Sequence, residues 1–262
     1  MNRWIIYTVC LLWLISLPAI AQDENTTPIS PPSHHTQPKI GGAGGFTQNL
    51  LFIDLDPINE VLKNSYCAPF DKQPMLLLGG QGYGYIMLVP NLRIGGMGAG
   101  GSMESRSLDT SVSPSIRRDV KLSVNYGGVT FEYAVPIIPR LDVSLGLLLG
   151  GGSTTIEVYR NTDPNKIWSN VWNEIGAANH SADVNEYKRT MSSSFFVYQP
   201  SVNIEYAVLR WVGIRLGVSY NGMAGSDWKL DDKYDLIGVP DKISGKGFMI
   251  NGGIFLGTFL FD

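Results

Sequence analysis

Eight strand-like segments run along this chain, several of them alternating apolar and polar residues with a period of two, and no other feature restricts the fold as much. Successive side chains of a strand point to opposite faces, so alternation repeated this often calls for a sheet with one apolar and one polar face. The segments run approximately over 39–50, 74–89, 91–104, 118–135, 140–159, 191–209, 211–222 and 246–261. In the sixth, Tyr198, Val202, Ile204, Tyr206 and Val208 oppose Gln199, Ser201, Asn203, Glu205 and Ala207. In the seventh, Val212, Ile214, Leu216, Val218 and Tyr220 oppose Gly213, Arg215, Gly217, Ser219 and Asn221. The fourth changes parity. Val120, Leu122, Val124 and Tyr126 are apolar before Gly127-Gly128, and Val129, Phe131, Tyr133 and Val135 after it, so the glycine pair reads as a β-bulge. The fifth changes in the same way near Gly150-Gly151-Gly152.

The connections carry a second signal. Short turns at Pro90, at 136–140 and at Arg210 alternate with long stretches over 51–73, 105–117, 160–190 and 223–245. An even strand count with short turns at one end and long loops at the other is the pattern of transmembrane barrels. No apolar run after residue 21 approaches the roughly 18 residues of a spanning helix, so a membrane crossing must be made by strands. The segments are long enough for the roughly 9–11 residues a tilted strand needs to cross. Aromatics stand near both ends: Tyr198, Tyr220 and Phe248 toward the long loops, and Tyr133, Tyr206, Phe259 and Phe261 toward the short turns.

These features give a fold expectation: all-β, an eight-stranded antiparallel up-and-down transmembrane β-barrel with short helices in long external loops. The chain resembles the small eight-stranded outer-membrane barrels, the OmpA/OmpX-like group, over about 39–262. The resemblance is architectural and carries no functional residue across. It implies a Gram-negative-type outer membrane, contact with its lipid, and a closing strand ending in Phe259 and Phe261 that resembles the signal read by the barrel-insertion machinery. Asp262 departs by one place from a final aromatic.

Residues 1–21 read as an export signal, with Arg3 before an apolar core from Trp4 to Leu17 and Ala19-Ile20-Ala21 as the cleavage site. Residues 22–38 read as a flexible Pro-rich linker, and 39–262 as the barrel domain. The linker's His34-His35 pair lacks the further ligands a metal needs, and its Asn25-Thr26-Thr27 triplet fits a glycosylation acceptor. Cleavage takes the formal charge from −3 to about −4, which disfavours nucleic acid. It also leaves Cys67 as the single cysteine, read as a bystander.

The polar faces supply Arg93, Lys121, Glu132, Asp142, Glu205 and Arg215. With apolar faces in lipid these point inward, and a narrow lumen requires them to pair as a salt-bridged plug. The spacing of Gly96, Gly98 and Gly101 matches a phosphate-binding motif, but no helix follows it. The glycines read instead as sites of strand bending or of packing against Tyr83 and Tyr85. Loop three offers a helix starting at Asp163-Pro164, with Trp168, Val171, Trp172 and Ile175 as an interaction surface. Loop one offers a similar unit, Asp56-Pro57 followed by Ile58, Val61 and Leu62, that caps the barrel mouth or lies at the lipid interface. Loop four clusters Asp227, Asp231, Asp232 and Asp235 without calcium-loop spacing, which reads as a solvated acidic loop. The expected role is structural or surface interaction, with partners met through the long loops, no catalysis, and no metal or cofactor. Two rivals stand beside it: a small channel or carrier for small or apolar solutes, and a soluble periplasmic ligand-binding β-barrel with its faces reversed.

Overall fold

All eight strand-like segments form strands, and each finds an antiparallel partner on both sides. The computed structural model describes residues 41–86, 88–111, 115–161, 187–240 and 243–259, which lie within the compact unit Gln37–Asp262. The signal segment, the linker with its histidines, the loop-three helix, Phe261 and Asp262 fall outside the described residues. The elements are β1 (Gly42–Ile53), α1 (Asp56–Asn64), β2 (Met75–Tyr85), β3 (Leu92–Asp109), β4 (Ile116–Ile138), β5 (Leu141–Asn161), β6 (Tyr187–Leu209), β7 (Val212–Leu230), β8 (Tyr234–Asp235) and β9 (Gly247–Gly257). Strands β1 to β7 pair in chain order, and β9 sits between β7 and β1. The ring shuts through Ala43↔Gly257 to Ile53↔Gly247. The short β8 pairs only with the end of β7.

Pairing partners set several strand ends beyond where alternation stops. The first strand runs to Ile53 because Leu51, Phe52 and Ile53 face Met249, Phe248 and Gly247. The second long loop is mostly hairpin, since Ser105 through Asp109 zip against Val120 through Ile116. Connection 110–115 is therefore no longer than 86–91, and strict short–long alternation fails at that place. The acidic stretch of loop four begins inside β7, which extends to Leu230. Asp231 accepts a hydrogen bond from the Thr190 N–H at 3.0 Å and pairs with Arg189, and Asp232 accepts one from the Ser192 hydroxyl at 2.7 Å. These two acids pin the turn to β6. A true bulge lies nearby: register shifts between Ser194 and Phe196, opposite Gly225 at φ +68°.

The glycine clusters of β4 and β5 are not bulges. Register runs unbroken through Gly127↔Gly151 and Gly128↔Gly150. Even-numbered residues face inward along both strands, and what changes at the glycines is the chemistry. Toward the short turns, Thr130, Glu132 and Ser144 are buried while Phe131, Tyr133, Leu145 and Leu147 are exposed on the outer wall. Toward the long loops, Val120, Leu122, Val124, Tyr126 and Ile156 are buried, and Ser123, Asn125 and Ser153 take the outside. The cylinder thus has an apolar belt below and a soluble-type wall above, apolar within and polar without. Strands β4 and β6 are 23 residues long, whereas β2 and β9 have 11, so the upper wall stands on one side of the ring.

Loop one roofs that side. Leu55, Ile58 and Leu62 join a core with Leu51, Leu77, Leu122, Val124, Phe195 and Trp228. Val61 is turned outward instead. The Asp54 carboxylate, two residues ahead of the expected cap, accepts the Asp56 N–H at 3.1 Å. Buried Asn59 clamps the return segment by accepting the Phe70 N–H at 2.7 Å and donating to its carbonyl at 3.2 Å, which seats Phe70 in the core. Expected outcome: Leu122→Asp, which buries an unpaired charge, costs about 3–5 kcal/mol and abolishes the folded form. Ser123→Asp, one residue away on the outer wall, folds normally, with heat-modifiable electrophoretic mobility as the readout.

Candidate functional site

Below the glycines, the lumen holds a knot of charges contributed by five strands, β3 to β7. The strand register dictates which side chains enter it: Arg93 lies opposite Glu132 across β3–β4, and Glu205 lies between Asp142 and Arg215 across β5–β6–β7. The pairs that form are not simply the register neighbours. Arg215 donates through Nε and Nη2 to Glu205 Oε2, at 3.1 and 2.7 Å, and through Nη1 across the lumen to Glu132 Oε1 at 2.9 Å. Arg93 passes over its neighbour Glu132. It donates to Asp142 Oδ2 at 2.8 Å and sets Nη1 3.0 Å from Glu205 Oε1, a charge contact without hydrogen-bond alignment.

Strand β2 completes the knot. Tyr83 donates to Glu205 Oε1 at 2.7 Å, Gln81 donates to Glu132 Oε1 at 2.7 Å, and Tyr85 bonds with Arg93. The guanidinium planes rest on rings, with Arg93 4.4 Å from the Tyr83 centroid and Arg215 4.6 Å from that of Phe255. Arg93 is 1% exposed, and Glu132, Glu205 and Arg215 are 2–3% exposed. Two cations against three carboxylates at this depth are tolerable because each guanidinium reaches two acids at once.

Five of the six charged residues singled out in the sequence therefore meet in one network. Lys121 does not. Its odd number in β4 turns it to the outer wall above the belt, opposite Glu104 and Glu157 on the neighbouring strands. Reading the parity change as a bulge carries the facing of the lower half onto the upper, and that places Lys121 wrongly in the lumen. Sequence reasoning also misses Tyr83, Tyr85, Gln81 and Phe255. By pattern alone the tyrosines are neighbours to glycine and Phe255 belongs to a last strand apolar on both sides, yet odd parity along β2 and β9 points them inward. Phe259 is likewise turned in, packing under Phe255 and Tyr83, so it does not belong to an outer girdle. Tyr220 and Phe248 stack edge to face at 5.1 Å on the outer wall at the loop end.

A cavity of about 10 Å³ lies above the network between Thr130, Glu132, Gln199 and Asn251, no larger than one water molecule requires. Gly96, Gly98 and Gly101 lie within β3, with no helix after them. Gly95 is held by close approach, since a Cβ there would come 2.0 Å from the Gly82 carbonyl oxygen. Cys67 is partly buried against the loop-one core.

No protein-family model matches this sequence, and no curated protein matches it. Solved structures do match in architecture. A major outer membrane protein of Thermus thermophilus is 10% identical over 83% of this chain and 99% of its own, with a TM-score of 0.41. Ail, the attachment invasion locus protein of Yersinia pestis solved with the heparin analogue sucrose octasulfate, is 11% identical over 83% and 97%, with a TM-score of 0.39. The outer membrane protease OmpT of Escherichia coli is 10% identical over 85% and 97%, with a TM-score of 0.32. At these values no residue and no role transfers to this chain.

Two outcomes follow from the geometry. Arg215→Ala strands Glu132 and Glu205 in the lumen and costs about 3–5 kcal/mol, read as a lower urea midpoint in lipid vesicles; Arg215→Lys falls between, because an ammonium cannot fork to both acids. A loss below about 1 kcal/mol for the alanine variant is the range of an exposed pair and contradicts the network. Burial pushes the Cys67 thiol up, so its thiolate is scarcer at neutral pH than that of a free thiol. A water-soluble maleimide should label it at least about tenfold more slowly than it labels the urea-unfolded chain.

Proposed function

We propose that this protein is an outer-membrane barrel with a structural or surface-interaction role, closed to solutes by its own charges. The observation that carries this reading is the cross-lumen pairing of Arg93 and Arg215 with Glu132, Asp142 and Glu205, which commits every one of those charges to holding opposite walls together. A conduit needs its lumen charges free to meet solute; these face one another. The roof formed by α1 and Phe70 adds a second, apolar seal above.

The apolar belt contacts lipid, the ring is delivered by the barrel-insertion machinery of the exporting cell, and the β3–β7 wall with its loops projects outside to meet partners. The role is non-enzymatic: the buried acids are held by guanidiniums rather than poised over a cleft. A soluble barrel is disfavoured because Phe131, Leu145, Ile204, Ile214, Leu216 and Ile254 all face outward in one band.

Cell fractionation and planar-bilayer recording test the two halves of this reading. The mature protein should partition with the outer membrane, require detergent, and give no conductance steps. Recovery in the soluble periplasm removes the membrane half, and stable single-channel steps from the wild-type protein remove the plug.

A further inference from the structure

One side chain on the outer wall does not suit hydrocarbon. Gln48 stands near the middle of β1, directly between Leu78 of β2 and Gly252 of β9, and it is exposed. Its outward neighbours are Phe46 and Leu50 along the strand, Leu78 on one side, and Ile250 and Ile254 on the other, all exposed in the apolar belt. No hydrogen bond reaches its side chain among the described residues.

Depth makes that amide costly. The strand has 12 residues. Gln48 lies roughly 17–20 Å along it from either end, which at a tilt of about 45° is about 12–14 Å of depth. A glutamine side chain is shorter than that and cannot climb to water or headgroups. In hydrocarbon its N–H and C=O groups meet nothing to bond with.

The wall beside Gln48 is bare. Gly44, Gly80 and Gly82 share the outward parity of β1 and β2. A Cβ on any of the three would meet no atom closer than 3.4 Å. Inward Gly45 and Gly79 differ, since a Cβ there would come 2.1 Å from a carbonyl oxygen. Folding of one chain therefore requires the inward glycines and not the outward ones. What the outward ones do is clear side chains from the wall next to Gln48, so that another wall can come up to backbone contact. The amide calls for a partner, and the glycines leave room for it.

A second copy of this chain supplies both needs. Copies inserted in the same direction carry Gln48 at the same depth, and a two-fold axis along the membrane normal sets one amide against the other. A primary amide is donor and acceptor at once, so the two close a reciprocal pair of hydrogen bonds. We propose that the β1–β2 wall is a homodimer interface within the membrane, with Gln48 paired across the two-fold axis and Gly44, Gly80 and Gly82 in the close contact. This interface rests on the reading of the belt as lipid-facing.

The test uses the full mature chain, labelled at its amino terminus with a donor or an acceptor dye and reconstituted in phosphatidylcholine vesicles. Flotation of the vesicles reports insertion first. A chain that stays in solution overturns the membrane reading, and the interface with it. For the inserted chain, energy transfer should exceed that of randomly placed barrels and fall along a monomer–dimer curve as lipid is added. Gln48→Leu should shift that curve toward monomer by about tenfold or more, the order expected for two hydrogen bonds in hydrocarbon. Gly80→Leu should bring transfer down to the random level while keeping heat-modifiable mobility, because its side chain points away from its own barrel. If Gly80→Leu fails to fold, Gln48→Leu alone carries the comparison. Insertion with only random transfer overturns the interface and leaves the membrane reading standing. An unchanged curve for either folded variant overturns the interface as well.

Discussion

Closure of the ring between β1 and β9 is the constraint on which the rest of this structure depends. An open sheet presents a row of unpaired N–H and C=O groups at each edge, and hydrocarbon offers them nothing. Once Ala43 through Ile53 pair with Gly257 through Gly247, the edges vanish over the height of the belt. Closure at eight strands also sets the lumen to a width that side chains alone can fill. Every inward residue must then meet another across the axis, and the chain meets this demand in two ways. Below the glycines it pairs charges; above them it packs hydrocarbon.

The lower solution depends on arginine. A guanidinium presents donors in a planar fork, so Arg215 reaches Glu205 on the adjacent strand and Glu132 on the far wall at once. Its flat faces also lie on Tyr83 and Phe255, which desolvate it without leaving a void. Desolvation of so many charges is costly, and the network holds because nearly every charge has more than one partner. That interdependence ties β2 through β7 together at a single level.

The upper solution makes the barrel lopsided. Strands β3 to β7 rise past the belt, turn polar outward, and gather α1 and Phe70 into a core like that of a soluble protein. The belt and the raised wall share strands, so the charge network and the apolar core lie on the same continuous β4, β5 and β6. The raised wall also borders a cavity of about 580 Å³ beside Leu236 to Pro240 and Ile243.

The strand-like segments determined the eight strands of the ring, and period-two alternation in several of them the sign of the lower wall, because a strand's faces are set by local geometry alone. The same alternation was enough to send Glu132, Asp142, Glu205 and Arg215 inward. It could not reveal that the polarity of both faces inverts at Gly127-Gly128 and Gly150–Gly152, since a change of environment and a bulge leave the same trace in a sequence. Alternation misplaces Lys121 for that reason, and it leaves Phe255 and Phe259 without a side because both parities of β9 are apolar. Which acid each arginine reaches was decided only by closure. Partners 83 and 122 residues apart in the chain, Glu132 with Arg215 and Tyr83 with Glu205, come together through the curvature of a ring, and no local pattern encodes a distance across a lumen.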